Sequence, residues 1–203
     1  MQLSSKIGVL GAGTMGAGIA QVAAASGHAV VLFDTNAAVL EKAFSGYSKT
    51  YDKLVEKGKV SRGEADDIIG RISKGSSLND FAGCALIIEA VIEKLSVKQE
   101  IFSSLEKIVS RDCILASNTS SLSVTSIGGA CEHPSRVIGI HFFNPAPLMP
   151  LVEIIPGIAT SVEVVNECVE LITSWKKVTV KAKDTPGFIV NRLARSFYGE
   201  SIR

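Results

Sequence analysis

The sequence predicts an α/β fold, a doubly wound and mostly parallel sheet with helices on both faces. Three observations point there. Short apolar runs of strand length alternate along the chain with longer segments of helical period. The first run, Ile7-Gly8-Val9-Leu10, passes directly into Gly11-Ala12-Gly13-Thr14-Met15-Gly16 and then an alanine-rich segment ending at Ala25. The second run, Ala29 to Phe33, ends in Asp34, 18 residues after Gly16 (34 − 16). In such a strand–turn–helix, Gly11 allows the tight turn, Gly13 lets a pyrophosphate approach the backbone, and Gly16 lets the helix pack on the sheet. The helix N-terminus then presents free N–H groups to the phosphates, and Asp34 stands close to where a ribose-binding carboxylate belongs. A glycine turn in an unrelated α/β protein is the alternative.

The remaining elements follow in order. Thr14 to Ser26 reads as the first helix, stopped by Gly27-His28 before the second strand. From Asn36 to about Ile72 the chain is polar and amphipathic. Val39, Leu40, Ala43, Phe44, Tyr47, Tyr51, Leu54 and Val55 recur at helical spacing, and Asn36 is placed to cap them. Gly58-Lys59 breaks this helix, and Ser61 to Gly70 forms a shorter one. Ile72-Ser73-Lys74 is a short strand, Leu86 to Ala90 a buried one, and Ser96 to Val109 a helix. Cys113 to Ala116 is a strand running into the polar cluster Ser117-Asn118-Thr119-Ser120-Ser121. Ligands of open α/β sheets bind at such carboxyl ends. Val137 to Ile140 is the next strand, followed by His141-Phe142-Phe143-Asn144-Pro145 and a proline turn to Pro150. Leu151 to Ile155 is a strand, Ser161 to Trp175 a helix with Ser161 as cap, and Lys177 to Ala182 a strand. Asp184-Thr185-Pro186-Gly187 punctuates the chain, and Phe188 to Arg203 opens a new helix with Ile189, Val190, Leu193, Phe197 and Ile202 on one side. Nothing later in the sequence covers that side. The expectation is a fragment of a longer protein, or burial against a partner chain.

Composition narrows the class. At 46% hydrophobic and 20% charged residues the chain has the balance of a globular protein, and a net charge of +1 offers no general surface for nucleic acid or anionic membrane. No apolar stretch approaches a membrane span, and Met1 to Lys6 leaves no room for a signal peptide before the first strand. Cys84, Cys113, Cys131 and Cys168 form no C-x-x-C and no zinc spacing. Cys84 and Cys113 sit beside apolar runs, so buried free thiols are expected there, and a cytoplasmic location is expected, with an organelle open if a transit peptide has been removed.

Several residues can carry chemistry. His141 follows a buried strand and has a side chain suited to reversible proton transfer near neutral pH. A structural histidine is the competing reading, and it fits His28 and His133 well. Glu153, 12 residues on (153 − 141) in the next strand, is a candidate to orient the imidazole. Its alternative is a strand residue facing solvent. Lys49, Lys53 and Lys57 fall on one helix face, which by pattern alone is a solvated face.

Five blocks together resemble the L-3-hydroxyacyl-CoA dehydrogenases, including the 3-hydroxybutyryl-CoA dehydrogenases, over nearly the whole chain. They are Gly11 to Gly16, Glu89-Ala90-Val91-Ile92-Glu93, Ser117 to Ser121, His141-Phe142-Phe143-Asn144-Pro145 and Asp184 to Arg192. The resemblance implies a Rossmann-type NAD-binding domain over 1–184. It would carry a helical insertion that meets coenzyme A at about 36–71, with 185–203 starting a helical C-terminal domain whose remainder is absent. His141 matches the catalytic base and Glu153 its carboxylate partner. Ser120 and Asn191 match residues near the substrate's reacting oxygen. Gly11, Ala12, Gly13, Thr14, Met15 and Gly16 match the cofactor loop, and Asp34 the acid on the adenosine ribose. Glu93 and Lys98 match positions near the nicotinamide half, and Asn118 is a further cofactor or substrate contact. Lys53 and Lys57 match a face meeting coenzyme A, with Thr50 standing where some members have serine. The implied reaction is NAD-dependent oxidation of an L-3-hydroxyacyl-CoA to the 3-ketoacyl-CoA, as in fatty-acid β-oxidation or related acyl-CoA metabolism, in a protein that dimerises through its C-terminal domain. No metal, nucleic acid or membrane is implied. The rivals are a dehydrogenase of a free 3-hydroxy acid and a non-catalytic NAD-binding module.

Overall fold

The computed structural model describes residues 5–201, with side chains described except at residues 195, 196 and 198–201. Eight strands form one sheet: β1 (Ile7–Leu10), β2 (Val30–Phe33), β3 (Ile72–Lys74), β4 (Leu86–Glu89), β5 (Ile114–Ser117), β6 (Val137–Phe142), β7 (Leu151–Pro156) and β8 (Val178–Lys181). Their order is β3-β2-β1-β4-β5-β6-β7-β8. Every neighbouring pair is parallel except β6 and β7. The exception has a simple cause. A parallel return needs a crossover of roughly a dozen residues or more, and the short connection over 143–150 can only double back.

The helices are α1 (Thr14–Ala25), α2 (Ala37–Glu56), α3 (Arg62–Gly70), α4 (Leu95–Glu106), α5 (Val124–Gly128), α6 (Val162–Ser174) and α7 (Val190–Ser201). The expected caps are present. Asn36 Oδ1 accepts from the Ala38 N–H, Ser61 and Glu64 form a capping box, and Ser161 Oγ accepts from the Val164 N–H. The central strands β1, β4, β5 and β6 are buried along their length, as strands covered on both faces must be. One apolar cluster fills the face under α1, α2 and α6, with Ile19, Leu40 and Ile172 in it; the other fills the face under α4 and α5, with Phe81, Phe102 and Ile127. Cys84, Cys113 and Cys168 are buried free thiols.

The structure departs from the sequence reading in two ways. β6 extends to Phe142, so His141 lies inside the strand and not just after it, because the antiparallel partner β7 continues the ladder to Phe142–Val152. The reading also passed over α5 and two 3₁₀ turns, Leu78–Phe81 and Pro134–Arg136. These pieces are too short to show a period. α5 is held at its start by Asp184, which accepts from Ser123 Oγ and from the Val124 and Thr125 N–H groups at 2.8–2.9 Å. That anchor is remote in sequence.

α7 runs to Ser201, and Ile202 lies outside the described residues. Ile189 packs against the α4/α5 cluster, whereas Leu193 and Phe197 are exposed. Among the described residues no helix is long and apolar enough to cross a membrane.

Candidate active site

The strand order reverses between β1 and β4, and the crevice at the strands' carboxyl ends lies there. The glycine loop follows β1. Gly11 has φ +98°, and a Cβ on Gly16 would lie 1.7 Å from the Gly11 carbonyl oxygen, so helix and strand meet closely only with glycine at 16. A Cβ at Gly13 would meet nothing within 4 Å, so that side of the loop is open. No side chain caps α1, and no acid lies in its first turn, which leaves its N–H groups available to an anion. Thr14 and Met15 open the helix at the same mouth. Asp34 sits at the end of β2. Its Oδ2 accepts from the Ala12 N–H and its Oδ1 from the Asn36 N–H, both at 2.8 Å. Each oxygen keeps acceptor capacity for a ribose hydroxyl. The open loop, the uncapped helix and the carboxylate fit a dinucleotide.

Across the sheet, the antiparallel register sets His141 opposite Glu153. His141 Nδ1 lies 2.7 Å from Glu153 Oε2, with Glu153 fully buried and His141 nearly so. Glu153 Oε1 also accepts from the Ile189 and Val190 N–H groups, each at 3.0 Å. Burial pushes the Glu153 carboxyl up, but the His141 hydrogen bond and the two backbone donors outweigh it and hold it below its ordinary range. An ionised carboxylate can only accept, so Nδ1 is the donor in this bond and Nε2 is the ring nitrogen outside it. The rings of Phe143 and Phe188 lie 4.5 and 5.8 Å from the imidazole.

Ser120 and Asn191 meet at the same edge, with Asn191 Nδ2 3.4 Å from the Ser120 carbonyl oxygen. The backbone donors on Glu153 start α7, so the His141–Glu153 pair and Asn191 share an anchor. Asn118 is partly committed. Its Oδ1 accepts from the Phe142 N–H at 2.8 Å, tying the loop after β5 to β6 and leaving the amide NH₂ for a ligand.

Glu93 gathers the loop after β5. Its Oε1 accepts from Thr119 Oγ1 (2.6 Å), the Ser120 N–H (2.8 Å) and, at longer range, the Ser121 N–H and the Ser120 and Ser121 hydroxyls. Burial raises the Glu93 carboxyl, but these donors and the Lys98 ammonium hold it low. Lys98 itself is 1% exposed, with Nζ 2.6 Å from Glu89 Oε1 and 3.4 Å from Glu93 Oε2. It therefore faces the crevice only through Glu93. Sequence reasoning assigned no role to Glu89; the signal was an acid ending an otherwise apolar strand.

A cleft of about 1250 Å³ runs along α1 and α2 below Pro145, Pro147 and Leu148. Thr50 and Lys42 line it, whereas Lys53 in the last turn of α2 and Lys57 just after it stand exposed outside the lining. Lys177, read only as the start of a strand, is buried at the cleft wall and donates to the Ala146 and Met149 carbonyls at 2.6 and 2.8 Å, stapling the connection between β6 and β7. Burial lowers its pKa. His28 is structural, with Nδ1 at 3.0 Å from the Ser5 carbonyl and Nε2 accepting from Trp175 Nε1 at 2.9 Å.

Comparison with known proteins agrees with this geometry. The family model described as 3-hydroxyacyl-CoA dehydrogenase, NAD binding domain matches residues 6–185. The chain is 43% identical over 197 residues to the 3-hydroxyadipyl-CoA dehydrogenase of Escherichia coli K12, covering 97% of this chain and 42% of that protein. It is 42% identical over 198 residues to a probable 3-hydroxybutyryl-CoA dehydrogenase of Deinococcus radiodurans, covering 98% of this chain and 71% of that protein. A crystal structure of 3-hydroxybutyryl-CoA dehydrogenase from Escherichia coli K12 superposes with a TM-score of 0.95 at 43% identity, over 97% of this chain and 42% of that one. This chain thus spans less than half of the first relative and about 71% of the second. With its open glycine loop, acid-ended second strand and buried histidine–glutamate pair, the chain belongs to the 3-hydroxyacyl-CoA dehydrogenase family, of which it carries the NAD-binding domain.

Proposed function

We propose that the protein carrying this chain catalyses reversible, NAD-dependent oxidation of an L-3-hydroxyacyl-CoA to the 3-ketoacyl-CoA. The observation that carries the reading is the His141–Glu153 pair, set at the same sheet edge as the glycine loop and the Ser120–Asn191 contact. Bound NAD supplies the acceptor for the hydrogen and two electrons leaving the hydroxyl carbon. His141 Nε2 takes the hydroxyl proton, and the Glu153 carboxylate stabilises the imidazolium that forms. In the reverse direction the imidazolium returns that proton to the ketone oxygen. The Ser120 hydroxyl and the Asn191 amide orient that oxygen and donate to it as charge develops. Gly11 to Gly16 hold the pyrophosphate and Asp34 the adenosine ribose, while Glu93, backed by Lys98, and Asn118 face the nicotinamide half. Thr50 in the cleft, and Lys53 and Lys57 exposed at the end of α2, meet coenzyme A, whose phosphates suit lysines.

The same reading divides the chain at about residue 184, with α7 opening a helical domain through which the whole protein forms a homodimer, and places the protein in the cytoplasm. The test is NADH consumption on adding acetoacetyl-CoA, followed by absorbance, for this chain and for the full-length protein. Steady turnover by either supports the reading. A folded full-length protein that binds NADH and reduces a free 3-keto acid but not its CoA ester, or neither, overturns it.

A further inference from the structure

We infer that Glu89 is a positioning residue for the substrate-side loop, acting through the buried ammonium of Lys98 on Glu93 and from there on Ser120. For what Ser120 finally touches, the inference rests on the dehydrogenase reading. Glu89 ends β4 at the sheet's carboxyl edge and is fully buried. Its Oε1 accepts from Lys98 Nζ at 2.6 Å and from the Val91 N–H at 2.7 Å, and its Oε2 from Ser117 Oγ at 2.7 Å. Ser117 Oγ in turn accepts from the Thr119 N–H at 3.2 Å. Glu89 thus holds the loop after β5 by a short arm through Ser117, and Lys98 by a direct ion pair.

Lys98 carries the second arm. Its ammonium stands between two carboxylates, tight on Glu89 and looser on Glu93 at 3.4 Å. Burying an ion is costly unless a group of opposite charge is beside it, so the shorter Glu89 contact fixes where the Lys98 Nζ sits. Glu93 is thereby drawn toward the sheet with its other oxygen aimed at Thr119, Ser120 and Ser121. On that oxygen the contacts are graded. Thr119 Oγ1 and the Ser120 N–H bind at 2.6 and 2.8 Å, whereas the Ser120 hydroxyl sits at 3.2 Å. One carboxylate oxygen cannot serve all these donors equally well. The backbone of Ser120 is the firmly held part, and its hydroxyl is parked on a long bond, ready to turn to a ligand oxygen.

The isosteric Glu89→Gln variant tests this. It keeps one acceptor, for the Val91 N–H, turns the group facing Ser117 Oγ into an amide donor, and removes the charge that holds Lys98, which then falls toward Glu93 and competes with the loop for it. The companion Glu89→Gln/Lys98→Met leaves no buried ammonium and guards against a single variant that fails to fold. The first readout is amide hydrogen exchange at 119–121 against the sheet amides of β1 and β5. The second is NADH affinity by fluorescence. The third is the split between kcat and KM in whichever form of the protein turns over. Exchange at 119–121 is expected to speed up about tenfold with the sheet amides unchanged. NADH binding should weaken, and kcat should fall about 10- to 100-fold with KM little moved, as for a misplaced catalytic donor. A folded variant with protection at 119–121 within about twofold of the parent overturns the inference. Failure of both variants to fold overturns it too, since the network would then be holding the sheet and not the loop. Exchange and NADH binding need no substrate, so a full-length parent inert toward acetoacetyl-CoA counts against the dehydrogenase reading without deciding the role of Glu89.

Discussion

At the scale of single residues, His141 and Glu153 are coupled by one hydrogen bond and separated by their partners. Glu153 also holds the two backbone N–H groups that start α7, so its charge serves both orientation and folding. On the proposed mechanism His141→Ala removes the proton carrier, together with one hydrogen bond of Glu153. It should lower kcat about 10²- to 10⁴-fold, the usual range for a general base, while leaving NADH affinity unchanged by fluorescence titration. Glu153→Gln is expected to act more broadly. The Glu153 carboxyl is held lower in the folded chain than in the unfolded one. Its contribution to stability is therefore complete above the unfolded value of about 4.3 and is lost as pH falls through the lower folded value. Thermal melts from neutral to acid pH should show the parent losing stability over that window and Glu153→Gln losing less. An identical pH dependence in the two proteins would refute this. On the same scale, the proposed ribose contact of Asp34 predicts the cofactor choice. A carboxylate repels a 2′-phosphate and accepts from a 2′-hydroxyl, so NADH should bind more tightly than NADPH, and equal affinities would count against the assignment.

At the scale of elements, the approach of α1 to β1 depends on one missing atom. A Cβ at residue 16 would collide with the Gly11 carbonyl, which is backbone and cannot swing away. Gly16→Ala should cost about 1–3 kcal/mol in urea denaturation, as overpacking does, and should weaken NADH binding because the loop is displaced. Ser61→Ala is the contrast. It breaks the Ser61–Glu64 capping box at the start of α3 and should cost about 1 kcal/mol with no effect on NADH affinity, since the cap's hydrogen bonds stay within the first turn of α3. Most element boundaries were legible because caps and periods are local: Asn36, Ser61 and Ser161 each bond within three residues of themselves. The extension of β6 through His141 was not legible, because it depends on β7 folding back as a partner. α5 was missed for the same reason, its anchor Asp184 lying on the far side of β6, β7 and β8 in sequence.

At the scale of the whole molecule, a single sheet separates two apolar layers and belongs to both. Losing either layer exposes the same strands, so unfolding should be one cooperative transition. NADH binds only the folded state, and at a concentration 100 times its Kd it should raise stability by about 2.7 kcal/mol, read as a shift of the urea midpoint. Two transitions, with only one moved by NADH, would mean that the layers unfold separately.

The sequence by itself determined the α/β class, the glycine loop with its acid at Asp34, and the family blocks. Each of these rests on spacing along the chain, which glycine sterics, strand length and helical period translate directly into shape. The His141–Glu153 pairing could be guessed from sequence and required the antiparallel register to become a contact. Only the tertiary structure decided that Lys98 is buried between Glu89 and Glu93, that Asn118 braces β6, and that Lys177 staples the connection between β6 and β7. These are long-range contacts between charged or polar groups, and a charge written in a sequence does not say which side of the sheet it faces or which opposite charge waits there. Packing settles that, because a buried ion is stable only where the fold has already placed its partner.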